Sequence, residues 1–315
     1  MGGDRAPGEV IAGAVAAARD LHVSVCLVGP IDQLSAGVAR VSGGSAPASL
    51  SFLDAADYIS MDDAPLAALR RKPRASVKVA AEAVARGDAD ALYSAGHTGA
   101  TLLSAHAAFG VLRGAERPAL AVLVPTRTGS AVLLDTGATL ECRPEHLRAF
   151  GVMGAAYARI VLGVDRPRVG LLSVGEEAGK GTELVREAHA LLAASGLHFV
   201  GNLEARDFFS GNADVIVSDG FTGNIVLKVG EGLVEMLEHL LGPEAFTGVR
   251  ARLDASEHGA APLLGLNGLA LVGHGRSDAR AVRNGIATAV RLAEGQMVSR
   301  LREALIARPR GRVVK

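Results

Sequence analysis

Short runs of β-branched and leucine residues alternate along the chain with longer alanine-rich segments whose apolar positions recur at helical spacing. The short runs predict buried strands, and the longer segments predict helices. The predicted strands cover residues 22–28, 89–95, 119–125, 130–135, 168–174, 197–201, 213–219 and 269–273. The predicted helices cover residues 76–87, 99–112, 144–163, 181–195 and 223–242, and a long C-terminal helix begins near residue 277.

This alternation predicts an α/β fold, a three-layer sandwich in which helices cover both faces of a mostly parallel sheet. Only a TRTG turn separates the strands at 119–125 and 130–135, which predicts an antiparallel hairpin. We expect one domain over residues 1–300, with the irregular stretch 242–268 rich in loops and residues 301–315 as a basic tail.

Composition narrows the range of functions. The 315 residues are 49% hydrophobic, which is enough for a large core. Basic and acidic residues balance at 33 each and aromatics make up only 3%, so we predict no nucleic-acid partner. Cys26 and Cys142 have no metal-ligand spacing and suit a reducing compartment, and we interpret Cys26 as a core residue. We expect no signal peptide, and no apolar run approaches the ~20 residues that span a bilayer, so we expect a cytoplasmic protein.

Five loops at the ends of predicted strands are rich in glycine and small polar residues. Glycine lets backbone N–H groups surround an anion, and a helix N-terminus adds the positive end of its dipole. In an α/β sheet, ligands bind at the carboxyl ends of the strands, so we predict a phosphate-handling site there. The five loops span residues 1–7, 94–100, 133–138, 173–184 and 218–228.

The usual signatures of nucleotide and covalent chemistry are missing from these loops. The GEEAGKG segment at 175–181 is one residue short of a Walker loop, and Gly181 stands where a magnesium-binding hydroxyl belongs. No strand is followed by GxGxxG, no GxSxG elbow occurs, and no His or Cys pair has metal-ligand spacing. The predicted site therefore binds phosphate without a nucleotide, a cofactor, a metal or a covalent nucleophile.

A second candidate is the basic part of the segment 60–78, in which five cations follow one another with no acid among them. These cations either contact an anion, such as a substrate phosphate or an acidic partner protein, or form the solvated start of a helix. Asp62 and Asp63, just before them, are interpreted as helix N-caps. The cations are Arg70, Arg71, Lys72, Arg74 and Lys78.

Six segments, taken in chain order, resemble the motifs of the bacterial phosphate acyltransferase family. They are MGGDRAP, SMDDAPLAALRRK, SAGHTGA, LLDTGATLECRPEHL, SVGEEAGKG and SDGFTGNIVLK, and the match runs from residue 1 to about residue 290. The resemblance implies a fold similar to that of phosphotransacetylases and isocitrate-dehydrogenase-type enzymes. It also implies transfer of a fatty acyl group from acyl-(acyl carrier protein) to inorganic phosphate, giving acyl-phosphate for phospholipid synthesis.

The same resemblance implies a homodimer that associates peripherally with the membrane surface. Its product is then expected to pass to a downstream glycerol-3-phosphate acyltransferase. The apolar helix at 224–242 is expected to lie at the dimer interface, at a membrane-facing tip within residues 230–265, or in the core.

In the implied reaction phosphate is the nucleophile and the thioester carbonyl is the electrophile, so the protein has to hold an anion and stabilise an oxyanion. The motifs assign catalytic roles to Lys180, Asn224 and His97. His97 stands where the family pattern has Asn, and it is a substitute hydrogen-bond donor, a spectator or a base. Asp219 either contributes to the site or caps the helix that follows it. The predicted substrate- and phosphate-binding residues are Gly2, Gly3, Asp4, Lys72, Ser76, Thr98, Gly99, Glu177, Asp219, Thr222 and Gly223.

Three other functions stay open. These alternatives are a phosphotransacetylase-like enzyme acting on acyl-coenzyme A, a nucleotide-binding dehydrogenase of related fold, and a non-catalytic scaffold at the membrane. Members of the resembled family also carry a short apolar strand directly before the segment that matches residues 1–7. We therefore expect the native protein to begin several residues earlier, so that the first strand of the sheet is missing from this chain.

Overall fold

The computed structural model describes residues 1–242, 244 and 259–307. It is an α/β structure with mostly parallel sheets, which confirms the predicted fold class. The strands in chain order are β1 (Val25–Gly29), β2 (Leu50–Asp54), β3 (Ala91–Ser94), β4 (Ala119–Leu120), β5 (Val122–Thr126), β6 (Gly129–Leu134), β7 (Arg168–Ser173), β8 (His198–Glu204), β9 (Val215–Val217), β10 (Ala261–Leu264) and β11 (Leu269–Val272). The helices are α1 (Gly8–Asp20), α2 (Ile31–Ser42), α3 (Pro65–Arg71), α4 (Ser76–Arg86), α5 (Thr98–Phe109), α6 (Pro144–Val161), α7 (Glu183–Ala193), α8 (Gly220–Leu241), α9 (Ala279–Glu294) and α10 (Met297–Ile306).

The described residues group into two compact units, where the sequence analysis expected one domain. The first unit contains residues 1–110 and 259–295, and the second contains residues 111–242, 244 and 296–307. Each unit has strands and a hydrophobic core of its own. Hydrophobic periodicity predicts individual helices and strands, but it does not indicate which of them share a core. The division into two units therefore cannot be seen in the pattern.

In the first unit β1 pairs in parallel with β2, and β11 lies between β3, to which it is parallel, and β10, to which it is antiparallel. Helix α1 packs against α9 and against β1. Its apolar residues, among them Ile11 and Val15, form one core with Leu27 and with Leu34 of α2.

One edge of β1 and one edge of β3 have no partner among the described strands. Both strands line a cavity of about 600 Å³, which α1, α4 and α9 also line. Met1 lies at this cavity and packs against the core beneath α1. The expectation of an additional strand ahead of residue 1 stays a prediction.

The second unit contains a five-stranded sheet in the order β5-β6-β9-β7-β8. The β5–β6 pair is antiparallel, which confirms the predicted hairpin, and every other pair is parallel. Helix α6 begins with Pro144 in its first turn, where the missing N–H does no harm. It packs against β6 and β9, and Phe150, Met153 and Tyr157 on it are completely buried.

Several local predictions are wrong. Cys26 is exposed and not a core residue, because its side chain points away from the core that its neighbour Leu27 joins. Ala64 and not an aspartate is the N-cap of α3. The predicted C-terminal helix is two helices, since Gln296 adopts a left-handed conformation between them. Residues 301–306 lie in α10, so the basic tail does not begin at 301.

Parts of two predicted regions lie outside the described residues. Residues 308–315 of the tail and residues 243 and 245–258 of the loop-rich and membrane-facing stretches belong to this group. Within the described part of the loop-rich stretch, β10 forms a strand. The pattern also missed α2, in which only Leu34 and Val38 are buried, and β2, in which no residue is buried.

Candidate active site

In the first unit, the opening loop is pressed against two neighbouring backbone segments. Gly2 has φ of +92°, and a side chain there would collide with the carbonyl oxygen of Ile59. A side chain on Gly3 would approach the carbonyl oxygen of Ala95 to 2.5 Å. The Asp4 N–H donates to the carbonyl oxygen of Gly275 over 2.9 Å, and the Asp4 side chain is exposed. The loop therefore needs glycine at both positions, because any side chain there would prevent it from lying beside the start of α5.

His97 is the N-cap of α5. Its Nδ1 accepts a hydrogen bond from the Gly99 N–H over 3.1 Å. Because Nδ1 is an acceptor there, the ring proton of the neutral imidazole is on Nε2, which is left as a donor. This geometry supports the interpretation of His97 as a substitute donor. Thr98 and Gly99 form the first turn behind it, and the cap takes up the N–H of Gly99.

Lys72 is held inside its own segment. Its Nζ donates to the Asp63 carboxylate over 2.7 Å and to the Tyr58 carbonyl oxygen over 3.0 Å. The hydrogen bond from Lys72, followed by those from the N–H and hydroxyl of Ser60, lowers the pKa of Asp63 to about 2. Ser76 is buried at the start of α4, and its N–H donates to the Asp57 carbonyl oxygen over 2.8 Å. Both residues brace the loop, and phosphate binding by either stays a prediction.

In the second unit, three glycine-rich loops leave the same edge of the sheet. The strand register pairs Leu134 of β6 with Val217 of β9, and Val217 with Leu171 of β7. The carboxyl ends of β6 and β9 are therefore level and β7 extends two residues further, so the loops that follow them leave the same edge. These loops and the first turns of α8 carry six of the predicted site residues, which are Glu177, Lys180, Asp219, Thr222, Gly223 and Asn224.

Asp135 organises the first of these loops, and sequence reasoning missed it. The side chain is completely buried, and its carboxylate accepts four backbone N–H bonds, from Leu120, Gly137, Ala138 and Thr139. Burial raises the pKa of Asp135, while the four N–H donors oppose that rise. The signal was present in the sequence, because an acid between an apolar strand and a glycine turn is typical of a side chain that bonds the turn.

The start of α8 packs directly on this loop. Asp219 caps the helix, since its carboxylate accepts from both the N–H and the hydroxyl of Thr222 over 2.8 Å, as one of our two interpretations predicted. A side chain on Gly223 would collide with the Asp135 carbonyl oxygen. Asn224 donates from Nδ2 to the Thr136 carbonyl oxygen over 3.0 Å, and its side chain is otherwise exposed. The helix N-terminus and an amide group are thereby fixed at the edge of the sheet.

Lys180 lies in the loop between β7 and α7. The side chain is exposed, and its Nζ has no hydrogen bond or ion pair with a described residue. Its backbone N–H donates to the Glu177 carbonyl oxygen over 2.9 Å, which closes a tight turn. Glu177 also has an exposed side chain, so the turn presents a cation and a carboxylate to solvent.

This edge of the second unit is suited to holding an anion. A 22-residue helix directs its N-terminus there, and Lys180 adds a full positive charge. Ser218, directly after β9, donates its hydroxyl to the Asp135 carbonyl oxygen over 3.3 Å and pairs with no base among the described residues. No group of three or more His, Cys, Asp or Glu within the described ranges is placed to hold a metal ion. The exposed ammonium of Lys180 and the exposed amide of Asn224 therefore lie where an anion can bind.

Comparison with known proteins agrees with this chemistry. Residues 1–300 match the model of a family described as fatty acid synthesis protein. The chain is 43% identical to a phosphate acyltransferase of Heliobacterium modesticaldum over 319 aligned residues, covering 96% of this chain and 95% of the relative. It is 46% identical to the phosphate acyltransferase of Thermus thermophilus, with 98% and 97% covered.

Solved structures share the fold at low sequence identity. A phosphotransacetylase from Streptococcus pyogenes superposes with a TM-score of 0.66 at 18% identity, covering 92% of both chains. The EutD phosphotransacetylase from Staphylococcus aureus superposes with a TM-score of 0.53 at 15% identity, covering 90% of this chain and 98% of that one. These likenesses support the predicted resemblance in fold.

Proposed function

The chain belongs to the phosphate acyltransferase family, and on this premise we propose that it transfers a fatty acyl group from acyl-(acyl carrier protein) to inorganic phosphate. Acyl transfer to phosphate follows from the family, and the carrier-protein thioester is the part we propose. The observation that carries the proposal is the edge of the second unit, where the side chains of Lys180 and Asn224 are exposed and the Ser218 hydroxyl donates to a backbone carbonyl oxygen and to no base among the described residues. Such an edge holds phosphate as the nucleophile and needs no acyl-enzyme.

In the proposed reaction an oxygen of bound phosphate attacks the thioester carbonyl carbon. The O–C bond forms, the C–S bond breaks, and the carrier leaves as a thiolate that takes a proton from solvent. Lys180 is proposed to hold the phosphate charge, with the positive end of the α8 dipole behind it. The Asn224 amide, anchored at Thr136, is proposed to donate to an oxygen of phosphate or of the carbonyl.

The opening loop of the first unit is proposed to keep the role that the sequence predicted. Gly2 and Gly3 are proposed to lie beside the anion, and Asp4, whose N–H donates to Gly275, orients its neighbours. His97, through Nε2–H, is proposed as a donor to substrate. Arg70 and Arg71 at the end of α3 are exposed, and we assign them to contact with an acidic carrier protein.

Helix α8 supports the proposed homodimer and peripheral membrane association. Its large apolar side chains at intervals of three or four residues are exposed and form a stripe along one face, which the described residues do not bury. No helix in the described ranges is long and apolar enough to cross a membrane. We propose that product passes from this surface to a downstream glycerol-3-phosphate acyltransferase. The stripe contains Phe221, Ile225, Val229, Leu233, Met236 and Leu240.

The test follows thiol release from a long-chain acyl carrier protein and from the matching acyl-coenzyme A, each with and without phosphate. We expect phosphate-dependent release from the carrier protein at a higher kcat/KM than from the coenzyme A ester. Lys180→Ala should raise the KM for phosphate at least tenfold. Lys228→Ala is the matched control, because Lys228 is an exposed lysine of the same unit that pairs with Glu231.

Each other outcome selects a different function. A preference for acyl-coenzyme A would make the protein a phosphotransacetylase-like enzyme. Loss of all thioester activity in the folded wild-type protein would contradict the proposed reaction and favour the scaffold.

A further inference from the structure

Asn202 on β8 is the buried contact of the loop that carries Lys180. The side chain is only 5% exposed, and its Nδ2 donates to the Glu177 carbonyl oxygen over 2.9 Å. The same carbonyl oxygen accepts the N–H of Lys180 over 2.9 Å. The Glu177 carbonyl oxygen therefore accepts two hydrogen bonds, one from the Asn202 side chain on the sheet and one from the backbone N–H of Lys180.

The other end of the Asn202 amide is also fixed. A carbonyl oxygen only accepts, so Nδ2 has to face Glu177 and Oδ1 has to face His189, whose Nδ1 lies 3.0 Å away. His189 Nδ1 must then carry a proton and donate. The imidazole ring packs edge-on against Phe199, with the ring centroids 5.0 Å apart, so the donor is held in direction as well as in distance.

A β-bulge gives Asn202 its orientation. Val169 pairs with Phe199 and Gly170 with Gly201, so Val200 is an extra residue on β8, and Gly201 has a left-handed φ of +97°. Side chains three residues apart on a regular strand point to opposite faces. Phe199 and Asn202 are three apart, yet both contact His189 of α7. The bulge thus turns Asn202 towards the loop, where a regular strand would turn it away.

We propose that Asn202, oriented by this bulge and by His189, is a positioning residue that holds the turn of Lys180 in the geometry that binds phosphate. This inference rests on the proposed function of Lys180. A rigid turn restricts the Lys180 ammonium group to a small region, whereas a loosened turn lets the long side chain sample many positions. Removing the Asn202 amide should therefore weaken phosphate binding without affecting the acyl thioester.

The first experiment measures KM separately for phosphate and for a long-chain acyl carrier protein in Asn202→Leu. We expect the KM for phosphate to rise about tenfold and the KM for the thioester to stay unchanged. Adding Lys180→Ala to Asn202→Leu should raise the KM for phosphate no further than Lys180→Ala alone, because the two residues act as one unit. Full additivity of the two effects would overturn the inference.

The second experiment does not depend on turnover. Hydrogen exchange of the peptide covering residues 174–182 should be faster in Asn202→Leu than in the wild-type chain, while Asn212→Leu, at an exposed asparagine of the same unit, leaves it unchanged. Unchanged exchange in Asn202→Leu would overturn the inference whatever the enzyme turns over. Failure of the wild-type chain to release thiol in response to phosphate would instead contradict the proposed function.

Discussion

The buried carboxylate of Asp135 offers the sharpest test of how the second unit holds its site together. Its Oδ1 accepts from Leu120, Gly137 and Ala138 over 2.8, 3.2 and 3.0 Å, and its Oδ2 accepts from Thr139 over 2.6 Å. Asparagine has the same shape but only one accepting oxygen. In Asp135→Asn the oxygen keeps the three bonds of Oδ1, and the NH₂ group faces the Thr139 N–H.

The size of the effect follows from counting these bonds. One buried N–H loses its acceptor, which costs about 1–3 kcal/mol, and three bonds to a charged group become bonds to a neutral one, at about 0.5–1 kcal/mol each. An ionised carboxylate is costly to bury, which is why burial raises the pKa of Asp135. The neutral amide of asparagine avoids this cost and so recovers part of the lost stability. We expect the free energy of unfolding to fall by about 2–4 kcal/mol.

The assay is urea unfolding at neutral pH, followed by circular dichroism, together with turnover of the folded variant. Asp165→Asn is the control, because Asp165 is exposed in the same unit and its side chain supports no loop. The folded Asp135→Asn variant should also turn over more slowly, since Thr136 in the same loop anchors the Asn224 amide. A loss of stability below about 1 kcal/mol would mean that the four N–H bonds do not sustain the loop.

Three further predictions concern the first unit and the two thiols. The hydrogen bond from Lys72 lowers the pKa of Asp63 to about 2. Its contribution to stability is therefore present above pH ~4 and is lost as the pH falls through 2. The melting temperature between pH 2 and 6 should depend less on pH in Lys72→Met than in the wild-type chain. Cys26 is exposed and burial raises the pKa of the Cys142 thiol to about 12, so a thiol reagent should label one cysteine in the folded wild-type chain and none in Cys26→Ser. His97→Asn should keep most of the activity because asparagine both accepts and donates, while His97→Ala should lose activity and about 1 kcal/mol of stability with the helix cap. Equal activity of the two His97 variants, measured as thiol release, would mean that the residue is a spectator.

The sequence predicted the loops of the site well, because their composition reflects local geometry. Gly2 needs a left-handed backbone and Gly223 needs close approach to another chain segment, and both requirements leave glycine in a motif. Asp219 was recognisable as a cap since it stands directly before a helix. For the same reason the strands that end in these loops were placed within a few residues of their observed positions.

The parts that were missed depend on contacts distant in sequence. The partner of Lys72 is Asp63, nine residues away at the other end of α3, and the pattern did not indicate this pairing, whereas anion contact by Lys72 stays a prediction. Cys26 lies in an apolar run that predicts a buried strand. In the structure the strand is β1, which has one unpaired edge among the described strands, and the Cys26 side chain is exposed. A run of apolar letters gives the presence of a strand and not the identity of what covers it.

Asn202 shows why such residues escape a reading of motifs. It follows no glycine-rich loop, and strict alternation along residues 198–204 would place it on the face opposite to Phe199. The observed orientation requires the bulge at Val200, which becomes visible only when β8 is paired with β7. A polar side chain in a strand therefore becomes a candidate only after the register of the sheet is known, whereas the lysine it supports is already marked by its loop.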